Sequence, residues 1–295
     1  MHPIRFGIIG NMGPEADELF QRHLRTAMNI RRDQDALPMV VVKNPAIPDR
    51  TQAIVERGPS PVEESISSCR LLEACGVRFA VMPCNTAHHF RNELQRQTSV
   101  YLVDMLAIVL DHINALYAGM PIGLLATNGT VRAGLYQRYA ARYGISLLTL
   151  PQDLQERWVH AAIYGSLTER QSADGGELRQ SNGIKSGCYD EPIALLSHAL
   201  HFMQDRGVTI VILGCTELPL VEQPLKSRFP GMTFIDPMQV TAAFICKLYR
   251  AAVQWRDEYL GAVPAIYNPQ DIQTWTEMVA YIAAETKQEA LASCV

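Results

Sequence analysis

The chain has 295 residues, 48% hydrophobic and 19% charged, with a formal net charge of -4, which is apolar material enough for one large core or two ordinary domains. Without a Lys/Arg block it lacks the electrostatic footprint for a nucleic-acid backbone or an anionic membrane. No run reaches the roughly 20 apolar residues of a membrane helix, and the start, Ile4-Arg5-Phe6-Gly7-Ile8-Ile9-Gly10, is too short and glycine-rich for a signal segment, so a cytoplasmic protein is expected.

In chain order, short apolar runs rich in β-formers predict strands at 6–9, 39–43, 79–82, 101–103, 122–126, 146–150, 210–213 and 233–235. Amphipathic stretches at 16–31, 61–75 and 191–206 predict helices between them. The alternation predicts an α/β fold with largely parallel sheets. Residues 166–190 are polar and rich in Gly and Ser, which predicts an exposed loop or a lid over the site. From Gly261 onward the tail regains helical periodicity at Ile272, Trp275, Met278, Val279, Ile282 and Ala283 and is expected to pack back on a lobe.

The chain also repeats itself. Residues 74–84 align without gaps on 205–215, so that Gly76 falls on Gly207, Val77 on Val208 and Cys84 on Cys215. Residues 4–13 align in the same way on 120–129, and Leu102-Val103-Asp104 on Phe234-Ile235-Asp236. Three matched pairs in the same order predict a duplicated half. The expected architecture is two pseudo-symmetric lobes, each a mainly parallel sheet flanked by helices, with the active site in the cleft between them. The first lobe is placed at 1–108, completed by 237–295, and the second at 109–236 with the insertion at 166–190.

Seven cysteines, an odd number with no CxxC among them, predict reduced thiols and no metal site. Free cysteine is usually a small buried hydrophobe, the reading kept for Cys69, Cys75, Cys246 and Cys294. Cys84 and Cys215 differ because they hold matching positions, each after a buried strand and before small polar residues. A helix start there would lower the thiol pKa and bind a carboxylate. Inverting a stereocentre beside a carboxylate needs a base on one face and an acid on the other, alike enough to exchange roles, and two thiols meet that need. The five lysines, at 43, 185, 226, 247 and 287, mark no pyridoxal-phosphate loop.

Five blocks resemble, in order, the signature of the aspartate/glutamate racemase family. They are Pro48-Asp49-Arg50-Thr51, Met82-Pro83-Cys84-Asn85-Thr86-Ala87-His88, Gly123-Leu124-Leu125-Ala126-Thr127-Asn128-Gly129-Thr130, Gly214-Cys215-Thr216-Glu217 and Ile235-Asp236-Pro237-Met238. The resemblance implies a two-lobed enzyme, often a homodimer, that uses no cofactor and carries one catalytic cysteine in each lobe, Cys84 and Cys215. Its substrate would be a small acidic amino acid, aspartate first and glutamate second. The resemblance also implies that Met12, Thr51, Asn85, Thr86, Thr127, Thr130 and Thr216 hold the substrate, that Arg50 takes its side-chain carboxylate, and that Asp49 and Glu217 orient or tune the thiols.

The chain departs from the family pattern in two places. Asn11 stands where a second glycine is usual, a position that asparagine tolerates at positive φ. In the long insertion Arg170, Arg179 and Lys185 all qualify as a second cation for the distal carboxylate, and the sequence does not choose among them. The rival readings are another cofactor-free enzyme of the wider superfamily, such as a hydantoin racemase, an arylmalonate decarboxylase or a maleate isomerase, and a non-catalytic sensor of acidic amino acids. A decarboxylase of that kind needs only one cysteine, so retention of both argues against it, and intact cysteines in both lobes argue against the sensor.

Overall fold

The computed structural model describes residues 6–171 and 177–259. Strands β1 (Phe6–Gly10), β2 (Met39–Lys43), β3 (Phe79–Val81) and β4 (Tyr101–Leu102) come first, followed by β5 (Ile122–Ala126) and β6 (Leu147–Leu148). After them come β7 (Leu167–Gln171), β8 (Glu177–Arg179), β9 (Ile210–Gly214) and β10 (Thr233–Ile235). One sheet has the order β2-β1-β3-β4 and the other β10-β9-β5-β6, with every pair in both parallel. Strands β1, β5 and β9 are buried along their whole length. Helices cover both faces of a parallel sheet, so its central strands read as unbroken apolar runs.

The repeat in the sequence is a repeat in register. Gly7 of β1 lies opposite Ala80 of β3, and their sequence counterparts Gly123 of β5 and Val211 of β9 lie opposite one another. The glycines are needed for close packing in both lobes. A Cβ on Gly7 would come within 2.8 Å of Val77 Cγ1, and one on Gly123 within 3.1 Å of the counterpart Val208 Cγ1. Two lobes built to one plan therefore present the same strand ends to each other.

The helix Pro237–Tyr259 returns to the first sheet, where Met238, Ala242, Ile245 and Cys246 share a core with Phe6, Phe20 and Leu24. The boundary drawn at 108 falls inside the helix Met105–Leu116, whose Leu106, Val109, Leu110 and Ile113 pack under the second sheet while Ile108 packs under the first. This helix is the shared wall of the lobes. The predicted helical tail lies outside the described residues.

The insertion is not the bare loop that its composition suggested. Strands β7 and β8 form an antiparallel hairpin, and its neck closes where Gly183 packs on the backbone of Gly165. Beyond the neck, the 3-10 turn Ile184–Ser186 packs into the second lobe with Ile184 buried. Small residues at 165 and 183 let two backbones meet closely, so few apolar side chains are required. Among the described residues no helix is long and apolar enough to cross a membrane, and no cluster of acidic, His or Cys side chains could hold a metal ion.

Candidate active site

Strands β3 and β9 are equivalent in the repeat, and Cys84 and Cys215 follow them into a common space between the lobes. Met12, Arg50, Asn85, Thr86, Thr127, Tyr164, Lys185, Thr216 and Glu217 complete its walls. The enclosed volume is about 10 Å³, room for one water molecule. A wider cleft of about 510 Å³ lies outside it, and Arg50, Lys185 and Glu217 line both. Those three side chains form the doorway, and the walls must part there to admit an amino acid.

The turns after the cysteines differ from expectation. A single 3-10 turn, Thr86–His89, follows Cys84, and another, Leu218–Val221, follows Cys215. The thiols therefore lack a long helix behind them, and the dipole expected to favour thiolate is correspondingly weak. At Cys215 the balance runs the other way. Burial first, and then the Glu217 carboxylate, push this thiol well above its ordinary range. Its Sγ donates to Glu217 Oε2 at 2.9 Å, and Lys185 Nζ holds the other oxygen at 2.5 Å. Burial alone would raise the Glu217 carboxyl, but the Lys185 charge and the hydrogen bonds from Cys215, Lys185 and the backbone together outweigh it and hold the group below its usual value. Gly13, at φ 139°, covers this pair so closely that a Cβ would lie 2.6 Å from Glu217 Oε1. The preceding Asn11 sits at φ 66°, the left-handed conformation expected of it.

On the other side, His88 accepts the Met105 N–H on Nε2 at 3.1 Å, so its Nδ1 carries the proton and donates to the Cys84 carbonyl at 2.9 Å. This buried neutral imidazole fixes the Cys84 turn to the helix Met105–Leu116. Arg50 spreads its guanidinium over backbone oxygens, with Nη1 on Pro48 at 3.0 Å and Nη2 on Met12 at 3.1 Å. Burial opposes its charge, but Cys84 and Asp49 facing it more than compensate. Its Nε is buried without a protein partner, as is Asn85 Nδ2, whereas Asn85 Oδ1 is taken by Tyr136 Oη at 2.6 Å. Two donors thus stay unspent at the cavity wall, where a buried unsatisfied donor costs about 1–3 kcal/mol.

Of the residues singled out in the sequence, Cys84, Cys215, Met12, Arg50, Asn85, Thr86, Thr127, Thr216 and Glu217 meet at the cavity. Thr51, Thr130 and Asp49 stand behind its wall. Thr130 forms a hydroxyl triangle with Thr86 and Thr127, at 3.0 and 3.2 Å. Thr127 caps the short helix Asn128–Arg132 through the Thr130 N–H at 3.2 Å. Asp49 caps Arg50–Val55 by accepting the Gln52 N–H at 2.9 Å and takes Tyr164 Oη at the same distance. Its role here is to place Arg50 and Tyr164.

The doubled α/β fold agrees with wider comparisons. The model of the Asp/Glu/Hydantoin racemase family matches residues 9–245. The chain belongs to this family. Among relatives by sequence, a glutamate racemase of Thermus thermophilus is 27% identical over 180 residues, 60% of this chain and 57% of that protein. The match therefore spans little more than half of the Thermus racemase's length. One from Pediococcus pentosaceus is 25% identical over 233 residues, 77% of this chain and 80% of that one. By structure, an aspartate racemase of Picrophilus torridus is similar with TM-score 0.65 at 24% identity, covering 84% of this chain and 94% of that one. The glutamate racemase of Francisella tularensis, solved with D-glutamate, gives TM-score 0.58 at 14% identity over 95% and 94% of the two chains. These structural likenesses establish the shared racemase fold.

Sequence reasoning missed Tyr164 and Tyr136, and it left Lys185 as one of three cations. Tyr164 follows the apolar run Ala161-Ala162-Ile163, so it reads as one more core aromatic. Tyr136 is itself fully buried, and only the loop geometry brings its hydroxyl to Asn85. Arg179 is spent on Glu156 at 2.7 Å, in the π-helical turn Gln155–His160.

Proposed function

We propose that this chain is a cofactor-independent racemase that interconverts the L and D forms of an acidic amino acid, aspartate before glutamate, by proton transfer at Cys84 and Cys215. The observation that carries the reading is the composition of one enclosed space: a thiol from each lobe, two cations and two unspent buried donors. A thiolate on one face takes the Cα proton, so that the Cα–H bond breaks and an S–H bond forms. The thiol on the other face gives its proton to the carbanion, and the configuration inverts.

Arg50 and Lys185 match a distal carboxylate, the first as a guanidinium fork and the second as a point charge at the doorway. Asn85 Nδ2 and the hydroxyls of Thr86, Thr127 and Thr216 suit the α-carboxylate and ammonium. Closure excludes water, which strengthens each of these contacts while a weak carbon acid is being ionised. The state of Lys185 supports independence from pyridoxal phosphate. A Schiff-base lysine must release its proton; burial favours that release at Lys185, but Glu217, Tyr164 and Cys215 together outweigh burial and push its ammonium well above the ordinary range.

The test is to incubate the purified protein, free of pyridoxal phosphate, with L-aspartate and to measure D-aspartate by chiral separation. Formation of D-aspartate that survives treatment with a carbonyl-trapping reagent supports the reading. Its complete absence with aspartate and glutamate alike removes it.

A further inference from the structure

Tyr136 belongs to the helix Leu135–Tyr143 of the second lobe, where it is fully buried and shares a core with Leu106, Leu124, Ala126 and Ile212. Phenylalanine would fill such a site, and a hydroxyl buried there costs free energy unless it is paired. The partner lies across the lobe boundary: Tyr136 Oη donates to Asn85 Oδ1 of the first lobe at 2.6 Å. Burial first, and then Asp236, Cys215 and Asp104, push the phenol well above its ordinary range, so it keeps the proton that it donates. Asn85 is itself 2% exposed and lines the enclosed cavity. The oxygen and nitrogen of an asparagine amide are alike in size, so packing does not choose between its two orientations and the hydrogen-bond partner does. With Oδ1 taken by Tyr136, Nδ2 is the end left over, and it is buried without a protein partner. Reversing the amide would deprive the Tyr136 O–H of its acceptor and set an oxygen against an incoming carboxylate.

We propose that Tyr136 is a positioning residue that holds the Asn85 amide with Nδ2 turned to the ligand, so that the α-carboxylate meets a donor and not the amide oxygen. The bond joins the two lobes, whose walls must part to admit an amino acid, so the amide is locked as the lobes close and released as they open. Closure thereby completes the carboxylate site as well as excluding water. An amide fixed in this way has less freedom to lose when the ligand binds. The identity of the ligand rests on the racemase reading, whereas the orientation of Asn85 does not.

The test is a double-mutant cycle over the wild type, Tyr136→Phe, Asn85→Ala and the combined variant, read by calorimetric binding of succinate, which carries both carboxylates of aspartate and no stereocentre. Tyr136→Phe removes one hydroxyl and is expected to weaken succinate binding roughly tenfold. In the Asn85→Ala background the same change should alter binding by less than about twofold, because the amide through which it acts is gone. A tyrosine that merely braces the core would cost the same in both backgrounds. Equal losses in the two, no loss in either, or a wild type that binds no succinate overturn the proposal. Asn85→Asp leaves Tyr136 in place and serves should the phenylalanine variant fail to fold. It keeps an acceptor for the hydroxyl but turns a charged oxygen to the ligand, so succinate binding should fall by roughly 100-fold or more. Retained binding there also overturns the proposal. A chain that shows the coupling but forms no D-aspartate loses the racemase reading and keeps the role of Tyr136, whereas an active racemase with additive losses loses that role alone.

Discussion

Thr86 of the first lobe and Thr127 of the second share a hydrogen bond of 3.0 Å between their hydroxyls. The lobes approach this closely because Gly129, two residues further on, has no side chain. A Cβ there would lie 2.9 Å from Thr51 Oγ1 and 3.0 Å from Thr51 Cα. Backbone cannot yield as a flexible side-chain tip can, so Gly129→Ala should hold the lobes apart. We expect a loss of roughly tenfold or more in kcat/KM, since small displacements of reacting groups are costly, with about 1–3 kcal/mol of destabilisation from overpacking. Steady-state kinetics and thermal unfolding check both numbers, and unchanged kinetics would mean that the closed contact is not part of the working enzyme.

Cys84→Ala and Cys215→Ala should each reduce racemisation by about 10³-fold or more, because each removes the only acid or base on its face. Both positions are small and buried, so melting temperatures should change little. Near wild-type turnover in either variant would remove that thiol from the mechanism.

Most of the architecture was legible in the sequence because buried parallel strands are written as continuous apolar runs. Those at 39–43, 122–126 and 233–235 give strands with the same bounds. The repeat was legible because Gly7 and Gly123 each pack against the counterpart valine, a constraint that both lobes must keep. The hairpin β7–β8 was not. Its strands carry few apolar residues, and its neck is held by backbone packing at Gly165 and Gly183, which no periodicity reveals. Lys185 was equally hidden, since nothing local marks which of three cations in a polar segment turns inward. The turn after Cys215 was misjudged because Leu218-Pro219-Leu220-Val221 supports a single 3-10 turn before the next helix begins at Glu222.

Arg50→Ala and Lys185→Met should raise KM for aspartate by roughly 10- to 100-fold each, the scale of one charge-assisted hydrogen bond. A neutral amino acid such as alanine should lose far less. Arg50 also braces the carbonyls of Met12 and Pro48, so a part of its loss is structural. An equal loss on both substrates in the Lys185 variant would argue against a role in reading the distal carboxylate.

Stability should fall as pH drops from 6.5 towards 4.5. Burial lowers the pKa of His88 below its ordinary 6.5, and that of His160 to about 4. Below 6.5 the unfolded chain takes up protons at these sites while the folded one does not, so stability present above 6.5 is lost through this window. For His160 alone the loss is about 2 kcal/mol at the lower end. Carboxylates with lowered pKa, such as Glu156 and Glu217, contribute their own losses only below their usual value of 4.5. Melting curves of the wild type and of His160→Gln check this. The variant should show a shallower fall, and an identical slope would contradict the assignment.

The most direct measurement of the central claim is α-proton exchange in heavy water, by NMR, starting separately from L- and D-aspartate without added cofactor. Two thiols on opposite faces predict that early product carries deuterium at Cα while the remaining substrate keeps its protium, from both directions. Deuterium appearing equally in recovered substrate and product would show a single exchanging base, and would contradict a mechanism shared between Cys84 and Cys215.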